Sequence, residues 1–365
     1  MSTPVSEPQE LNAETAPAQQ HSASPVSAPP EVVVTQIMLG SLAAQTIYVT
    51  AKLGIADLLA GGPKSVEELA TATETHAPSL YRILRAAASL NVFTEQDNRV
   101  FALNPNAQPL LSDVPNSLRD IAIFMGEEWH WQVWGKTLYS VKTGESAWKQ
   151  MHGDDVFGYF GMNPGAAEIF NRAMSSLTAL ATKAVVEGYD FSGINTLIDI
   201  AGGHGRLLTD IVDANPNIRG ILFDLPHVIE GARENVAQSK AADRIEFASG
   251  DFFVSVPPGA DAYMMKHIIH DWDDERALNL LKNIKQAMNP NGRVLLVESV
   301  IADGNNQDFG KLMDIEMLVS PGGKERTAAE YAELLERAGL RLTRIVPTRS
   351  SYSVIEAVNS DYTDS

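Results

Sequence analysis

The sequence predicts an α/β fold: a doubly wound, mostly parallel sheet in the second half, behind a mostly helical first half with a winged-helix outline. Three observations carry this. From Tyr189 onward, short apolar runs of strand type alternate with helical patterns. One joint, Ile194-Asn-Thr-Leu-Ile-Asp-Ile-Ala-Gly-Gly-His-Gly-Arg-Leu-Leu208, feeds a buried strand (Thr196 to Ile200) through glycines into an apolar helix from Arg206. Such a joint lets a ligand approach bare backbone at the positive end of a helix. Asp224 then closes the next apolar run, about 20 residues beyond the turn, a place from which a carboxylate commonly accepts hydrogen bonds from ribose hydroxyls.

The first 30 residues hold six prolines and neither lysine nor arginine, so a disordered tail is expected over residues 1–30. Residues 31–112 form the next region. Val32 to Leu53 is too evenly apolar for a one-faced surface helix and predicts a helix buried on several sides, with a second subunit as the cover. Ser65 with Glu68 three residues on is a capping box. A helix over Pro78 to Leu90 and strands at Val92–Thr94 and Arg99–Leu103 complete the winged outline. That outline allows a rival reading, a DNA-binding regulator, but the second helix carries only Arg82 and Arg85.

Residues 113–188 read as a helical segment rich in large side chains, among them Phe124, Trp129, Trp148, Phe157 and Phe160. Most suit ordinary packing, and a few suit an apolar pocket for a flat substrate. Met174 is expected there. Residues 189–365 form the sheet domain. Its later elements are strands at Arg244–Ser249, Asp261–Ile269, Gly292–Ile301, Leu340–Pro347 and Ser351–Val358, and helices at Pro226–Val236, Asp273–Met288 and Thr327–Ala338.

Composition narrows the function classes. A net charge of −18 repels phosphate backbones and anionic lipid, so neither nucleic acid nor membrane is expected as a partner. With no cysteine there is no disulfide, thiolate metal site or cysteine nucleophile, and a cytoplasmic location is expected. No apolar run reads as long enough to span a membrane, and the N-terminus lacks a signal-peptide pattern.

The glycine turn fails the dinucleotide pattern G-x-G-x-x-G, since Leu208 replaces the third glycine. Asp199-x-Ala-Gly-Gly-x-Gly205 is instead close to the D/E-x-G-x-G-x-G loop of S-adenosylmethionine-dependent methyltransferases, with Ala201 in the first glycine's place. That substitution is tolerable at negative φ and costly in a left-handed conformation. Further matches follow in order: Phe223-Asp-Leu-Pro-His-Val-Ile229, Gly250-Asp-Phe-Phe253, Met265 to Glu275, Leu296-Val-Glu298 and Pro321-Gly-Gly-Lys-Glu-Arg-Thr327. Over roughly residues 31–358 the chain resembles the small-molecule O-methyltransferases of the plant caffeate and bacterial carminomycin kind.

The resemblance implies a Rossmann-like class I methyltransferase domain with a seven-stranded sheet, a winged-helix domain used for homodimerisation, and S-adenosyl-L-methionine as cofactor. It places Gly202 at the methionine end of the cofactor, Asp224 on the ribose, Asp251 and Phe252 around the adenine, and Lys266 beside them. It makes His270 the catalytic base, with Glu298 and Glu325 as its carboxylate partners. Asp271, next to the base, is expected at the aromatic acceptor.

The chemistry stands on its own footing. Methyl transfer from a sulfonium needs alignment and a way to remove the nucleophile's proton, which a neutral histidine with a pKa near 6.5 can take from a phenol. Ring-nitrogen or alkyl-hydroxyl acceptors remain alternatives. A metal held by His267 and His270 is not expected, because three residues apart on a strand they point to opposite faces. His204 is treated as incidental. Residues 310–320 are expected to face the acceptor.

Overall fold

The computed structural model describes residues 28–361. Residues 1–27 of the expected tail lie outside them, and Pro30 already opens a helix, Pro30–Lys52. Contacts divide the chain into one unit ending at Leu42 and another running from Ala43.

The described part of the first unit is the opening of that helix, with Ile37 73% and Met38 64% exposed. By length and composition the whole helix is apolar enough to cross a membrane, with a mean hydropathy of 1.6 over its best window. This corrects the expectation that no run reaches that length. Thr, Ser, Gln and Gly interrupt the apolar residues, but no charge stands between Glu31 and Lys52.

The second unit begins with the predicted winged outline. Ser65 caps the helix Val66–Ala72, its Oγ accepting from Glu68 N at 3.2 Å while Glu68 Oε2 accepts from Ser65 N at 2.7 Å. Strands β1 (Lys64–Ser65), β2 (Thr94–Gln96) and β3 (Val100–Ala102) pair antiparallel in the order β1-β3-β2. The short β1 had no alternating pattern to reveal it.

Strands β4 (Thr196–Ile200), β5 (Arg219–Asp224), β6 (Ile245–Ser249), β7 (Ala262–Lys266) and β8 (Arg293–Glu298) pair in parallel. A two-stranded pair, β9 (Val300–Ile301) and β10 (Arg326–Thr327), lies beyond them. Strands β11 (Leu340–Pro347) and β12 (Ser353–Asn359) complete a seven-stranded sheet in the order β11-β12-β8-β7-β4-β5-β6, with β12 antiparallel to its neighbours.

Neighbouring residues on the central strands enter opposite cores. Ile198, Met265 and Leu296 pack on one side, and Leu197, Met264 and Leu295 on the other. Burial on both faces is what a parallel sheet between helices requires, and each such side chain stabilises the fold by about 1.5–3 kcal/mol.

Two strands stop earlier than their apolar runs suggest. β7 ends at Lys266 because His267 adopts a left-handed φ of 55°, and the run from Gly292 breaks at Ser299. The chain order leaves β4 outward to β5 and β6, then returns to β7 on β4's other side. A crevice at the carboxyl ends of β4 and β7 is where such sheets bind ligands.

Candidate active site

The site residues predicted from the sheet domain lie at carboxyl strand ends, except Glu325, in the loop before β10. After β4 the chain turns through Ala201 to Gly205, and Gly205 in a left-handed conformation precedes the helix Arg206–Ala214. A side chain on Gly202 would lie 2.5 Å from Asp199 Oδ2 and from Leu222 Cδ1, so the missing Cβ there serves packing. Gly203, at φ +58°, is the glycine with open space over it.

Ala201 also has positive φ, 54°, so the substitution in the loop falls in its costly conformation. For an L-residue that costs about 1–2 kcal/mol, partly offset by the extra freedom glycine brings to the unfolded chain. Ala201→Gly is therefore expected to stabilise the protein by about 1 kcal/mol, seen as a higher urea midpoint at unchanged slope. An unchanged or lower midpoint would show that Ala201 is unstrained.

Asp224, at the end of β5, faces this turn. Its Oδ2 accepts from Gly203 N at 2.9 Å and its Oδ1 from Leu225 N at 2.7 Å. Burial raises its pKa, and those two N–H groups oppose the rise. Asp199 was quoted in the loop motif but given no role. It is 2% exposed, and its Oδ2 has no hydrogen-bond partner. Burial lifts it to about 7 against the pull of Lys266, while burial lowers Lys266 to about 8 against Asp199, Glu298 and Asp271. Asp251 follows β6, turned back on its own loop with Oδ1 accepting from Phe253 N at 2.8 Å. Phe252 packs edge-on against Phe253 at 4.6 Å between centroids and against Trp272 at 6.2 Å.

His270 lies in a short turn, Ile269–Asp271, just beyond β7. Its Nδ1 is 3.0 Å from Glu325 Oε1 and 3.2 Å from Glu298 Oε2, and its Nε2 is 3.5 Å from Asp271 Oδ1. The ring is 12% exposed, whereas Glu298 and Glu325 are fully buried. Burial pulls the pKa of His270 down, but Glu298, Asp271 and Glu325 outweigh it and hold it up at about 10. The expectation of a value near 6.5 is corrected, because it assumed an imidazole without this many carboxylates. Burial raises Glu298 to about 7 and Asp271 to about 6, in both cases against the pull of His270.

The expectation that His267 and His270 point apart is also corrected. The left-handed residue bends the chain, and the two rings stack at 5.4 Å and 19°. The Tyr352 ring also packs on His267, 4.1 Å between centroids and tilted by 54°, and burial holds His267 well below its usual range.

The backbone around this cluster is held from several directions. Glu298 Oε1 accepts from Ile268 N and Ile269 N, each at 3.0 Å. Asp314 Oδ1, on the helix Phe309–Val319, accepts from Glu325 N at 2.9 Å. Lys324 N donates to His270 O at 2.8 Å, and a Cβ on Gly323 would overlap that same carbonyl oxygen.

Arg326 is 0% exposed and uses its whole fork. Nη1 donates to Ile269 O at 3.2 Å and Lys324 O at 3.0 Å, and Nη2 to Trp272 O at 3.1 Å and Asp274 Oδ1 at 2.7 Å. Nε also reaches Asp274 Oδ1, at 3.1 Å. Sequence reasoning quoted Gly323 and Arg326 within a matching motif but had no signal for these contacts.

The aromatic-rich segment divides between buried and part-exposed side chains. Trp148 and Phe160 are buried in a local core with Val133 and Val319. Phe157, 45% exposed, stacks on Trp272 at 5.9 Å and 27°, two residues beyond His270. Met174 is half-buried on the long helix Pro164–Gly188. Within residues 310–320, Glu316 binds inward to His130 Nε2 and Trp134 Nε1 at 2.8 and 2.7 Å.

Two families match the chain: an O-methyltransferase domain over residues 134–341 and an O-methyltransferase dimerisation domain over residues 35–113. The second covers the stretch whose outline suggested a DNA-binding regulator. A phenazine O-methyltransferase of Lysobacter antibioticus is 43% identical over 325 residues, covering 89% of this chain and 95% of that protein. An 8-amino-8-demethylriboflavin N,N-dimethyltransferase of Streptomyces davaonensis is 35% identical, with 85% and 90% covered. The crystal structure of LaPhzM superposes with a TM-score of 0.86 at 43% identity, over 91% of this chain and 100% of that one. An O-methyltransferase from neocarzinostatin biosynthesis, solved with S-adenosylmethionine and 2-hydroxy-5-methyl naphthoic acid, superposes with a TM-score of 0.76 at 28% identity, over 87% and 96%.

Proposed function

The chain belongs to the S-adenosylmethionine-dependent O-methyltransferases that carry a dimerisation domain, and from that premise we propose that it methylates a hydroxyl of an aromatic small molecule with His270 as general base. The observation that carries the reading is the His270 ring with both carboxylates on Nδ1, at 3.0 and 3.2 Å. Carboxylates on Nδ1 keep a proton there and turn Nε2 toward the acceptor, the arrangement an oriented base needs.

S-adenosyl-L-methionine is the cofactor; it supplies an already activated methyl group and, as a cation, weakens a neighbouring imidazole's hold on its proton. The residues present fit it. Asp224 and the open backbone at Gly203 suit the ribose, with Gly202 behind them, and the unpartnered Asp199 Oδ2 suits a donor on the ligand. Gly202 is assigned to the methionine end, Asp251 and Phe252 to the adenine, and Lys266 to the cofactor as well. Asp271 and Met174 are assigned to the acceptor pocket, with Phe157 and Trp272 offering ring contacts. The exposed apolar face of the helix Pro30–Lys52 suits a homodimer interface, and a cytoplasmic enzyme of secondary metabolism is the context we assign.

A second reading, N-methylation, is favoured by one observation, the similarity to a flavin-type N,N-dimethyltransferase. Incubation with methyl-labelled cofactor and matched phenols and anilines separates the two. Label is expected in an aryl methyl ether. Label found only on nitrogen overturns the hydroxyl reading, because a free lone pair needs no base.

A further inference from the structure

Among the described residues, His270, Glu298 and Glu325 form a group whose ligating atoms all lie within 4.8 Å of one another. We propose that this group binds zinc and that the ion is an inhibitor, displacing the proton on which the base depends. The consequence for activity rests on the methyl-transfer reading; the binding itself does not.

Geometry carries the first half. Tetrahedral ligands about 2.0–2.1 Å from zinc stand about 3.3 Å apart. His270 Nδ1 is already 3.0 Å from Glu325 Oε1 and 3.2 Å from Glu298 Oε2. One buried oxygen, Glu325 Oε2, has no hydrogen-bond partner, and Glu298 Oε2 has only the ion contact to His270 Nδ1, although their side chains are 2% and 0% exposed. Leaving such oxygens bare is costly, and a cation would satisfy them. Two carboxylates and a neutral imidazole carry two negative charges, which one divalent ion neutralises. Imidazole with carboxylate favours zinc over the oxygen-seeking magnesium and calcium.

Chemistry carries the second half. Zinc takes the Nδ1 lone pair and releases the proton held there to solvent. The remaining imidazole proton must then stand on Nε2, beside Asp271 Oδ1 at 3.5 Å. An Nε2 that already bears a proton cannot take one from the acceptor. The two carboxylates that orient the base thus form, with it, the trap.

The test is zinc chloride alone, added to metal-stripped full-length protein and followed by competition with a chromophoric chelator. One equivalent per chain is expected, with affinity falling by more than about 100-fold in His270→Ala and in Glu325→Gln, beyond the 10- to 100-fold typical of losing a merely supporting residue. His76→Ala, an exposed histidine elsewhere, should bind as the parent does. In the unaltered protein, turnover should vanish in step with occupancy and return with EDTA. Zinc retained by both site variants overturns the proposal. So does full occupancy with undiminished turnover. Binding needs no cofactor or acceptor, so a failed methyl-transfer reading would leave that arm standing.

Discussion

Replacing His270 by alanine is expected to lower kcat on the order of 10²- to 10⁴-fold toward a phenolic acceptor while S-adenosylmethionine still binds, measured by single-turnover kinetics and calorimetry. The size follows from what a positioned base contributes. The retained binding follows from the separation of roles, because all the residues assigned to the cofactor except Lys266 lie at the ends of β4, β5 and β6, whereas His270 lies after β7. Near-parent turnover in this variant would remove His270 from the reaction.

The pH profile supplies a second arm. A base held up at about 10 sheds its proton only as pH rises, so kcat/KM for the free enzyme should keep climbing above pH 7 instead of levelling near 6.5. Glu298→Gln removes one of the charges that raises His270, so the midpoint should move to lower pH. A midpoint unmoved by that change would mean that the carboxylates do not set the base.

The parallel sheet and the places of its strands were legible because each left a one-dimensional trace. Apolar runs flanked by glycine or aspartate marked β4, β5 and β8, and the motif matches picked out His270, Glu298 and Glu325 in chain order. What stayed hidden depends on through-space environment. The pKa of His270 comes from carboxylates contributed by β8 and by the loop before β10, far apart in sequence. The left-handed turn at His267, which brings two imidazole rings into a stack, has no glycine to announce it. The same holds at Ala201, where φ alone decides whether the missing glycine matters.

Arg326 is the largest member of that hidden class, and its replacement is expected to cost stability as well as rate. Its guanidinium ties carbonyls on both sides of His270, at Ile269 and Trp272, to Lys324 beside Glu325. Arg326→Met leaves three carbonyls short of a donor and the Asp274 carboxylate with only Lys324, 3.8 Å away. We expect a loss of about 1–3 kcal/mol in urea denaturation, the range for leaving buried acceptors unsatisfied, since Asp274 is 43% exposed. Arg326→Lys keeps the charge but not the planar fork, since an ammonium offers three donors from one point where the guanidinium offers five in a plane. It should recover part of the stability and little of the function.

The readout that separates a positioning residue from a merely structural one is the pH profile of the lysine variant. If the clamp sets the distance from His270 to Glu298 and Glu325, loosening it weakens their hold, and the kcat/KM midpoint should fall toward the usual histidine value. The loss should lie in kcat more than in KM, because the clamp grips the base and not the assigned cofactor residues. Gly323→Ala tests the same joint from the other side, where an added Cβ would overlap the His270 carbonyl oxygen. Should Arg326→Lys fold with lower stability yet keep the parent's pH profile and kcat, the arginine holds the loop without placing the base. Glu298 and Asp314, bonded to the backbone of residues 268, 269 and 325, would then suffice to do so.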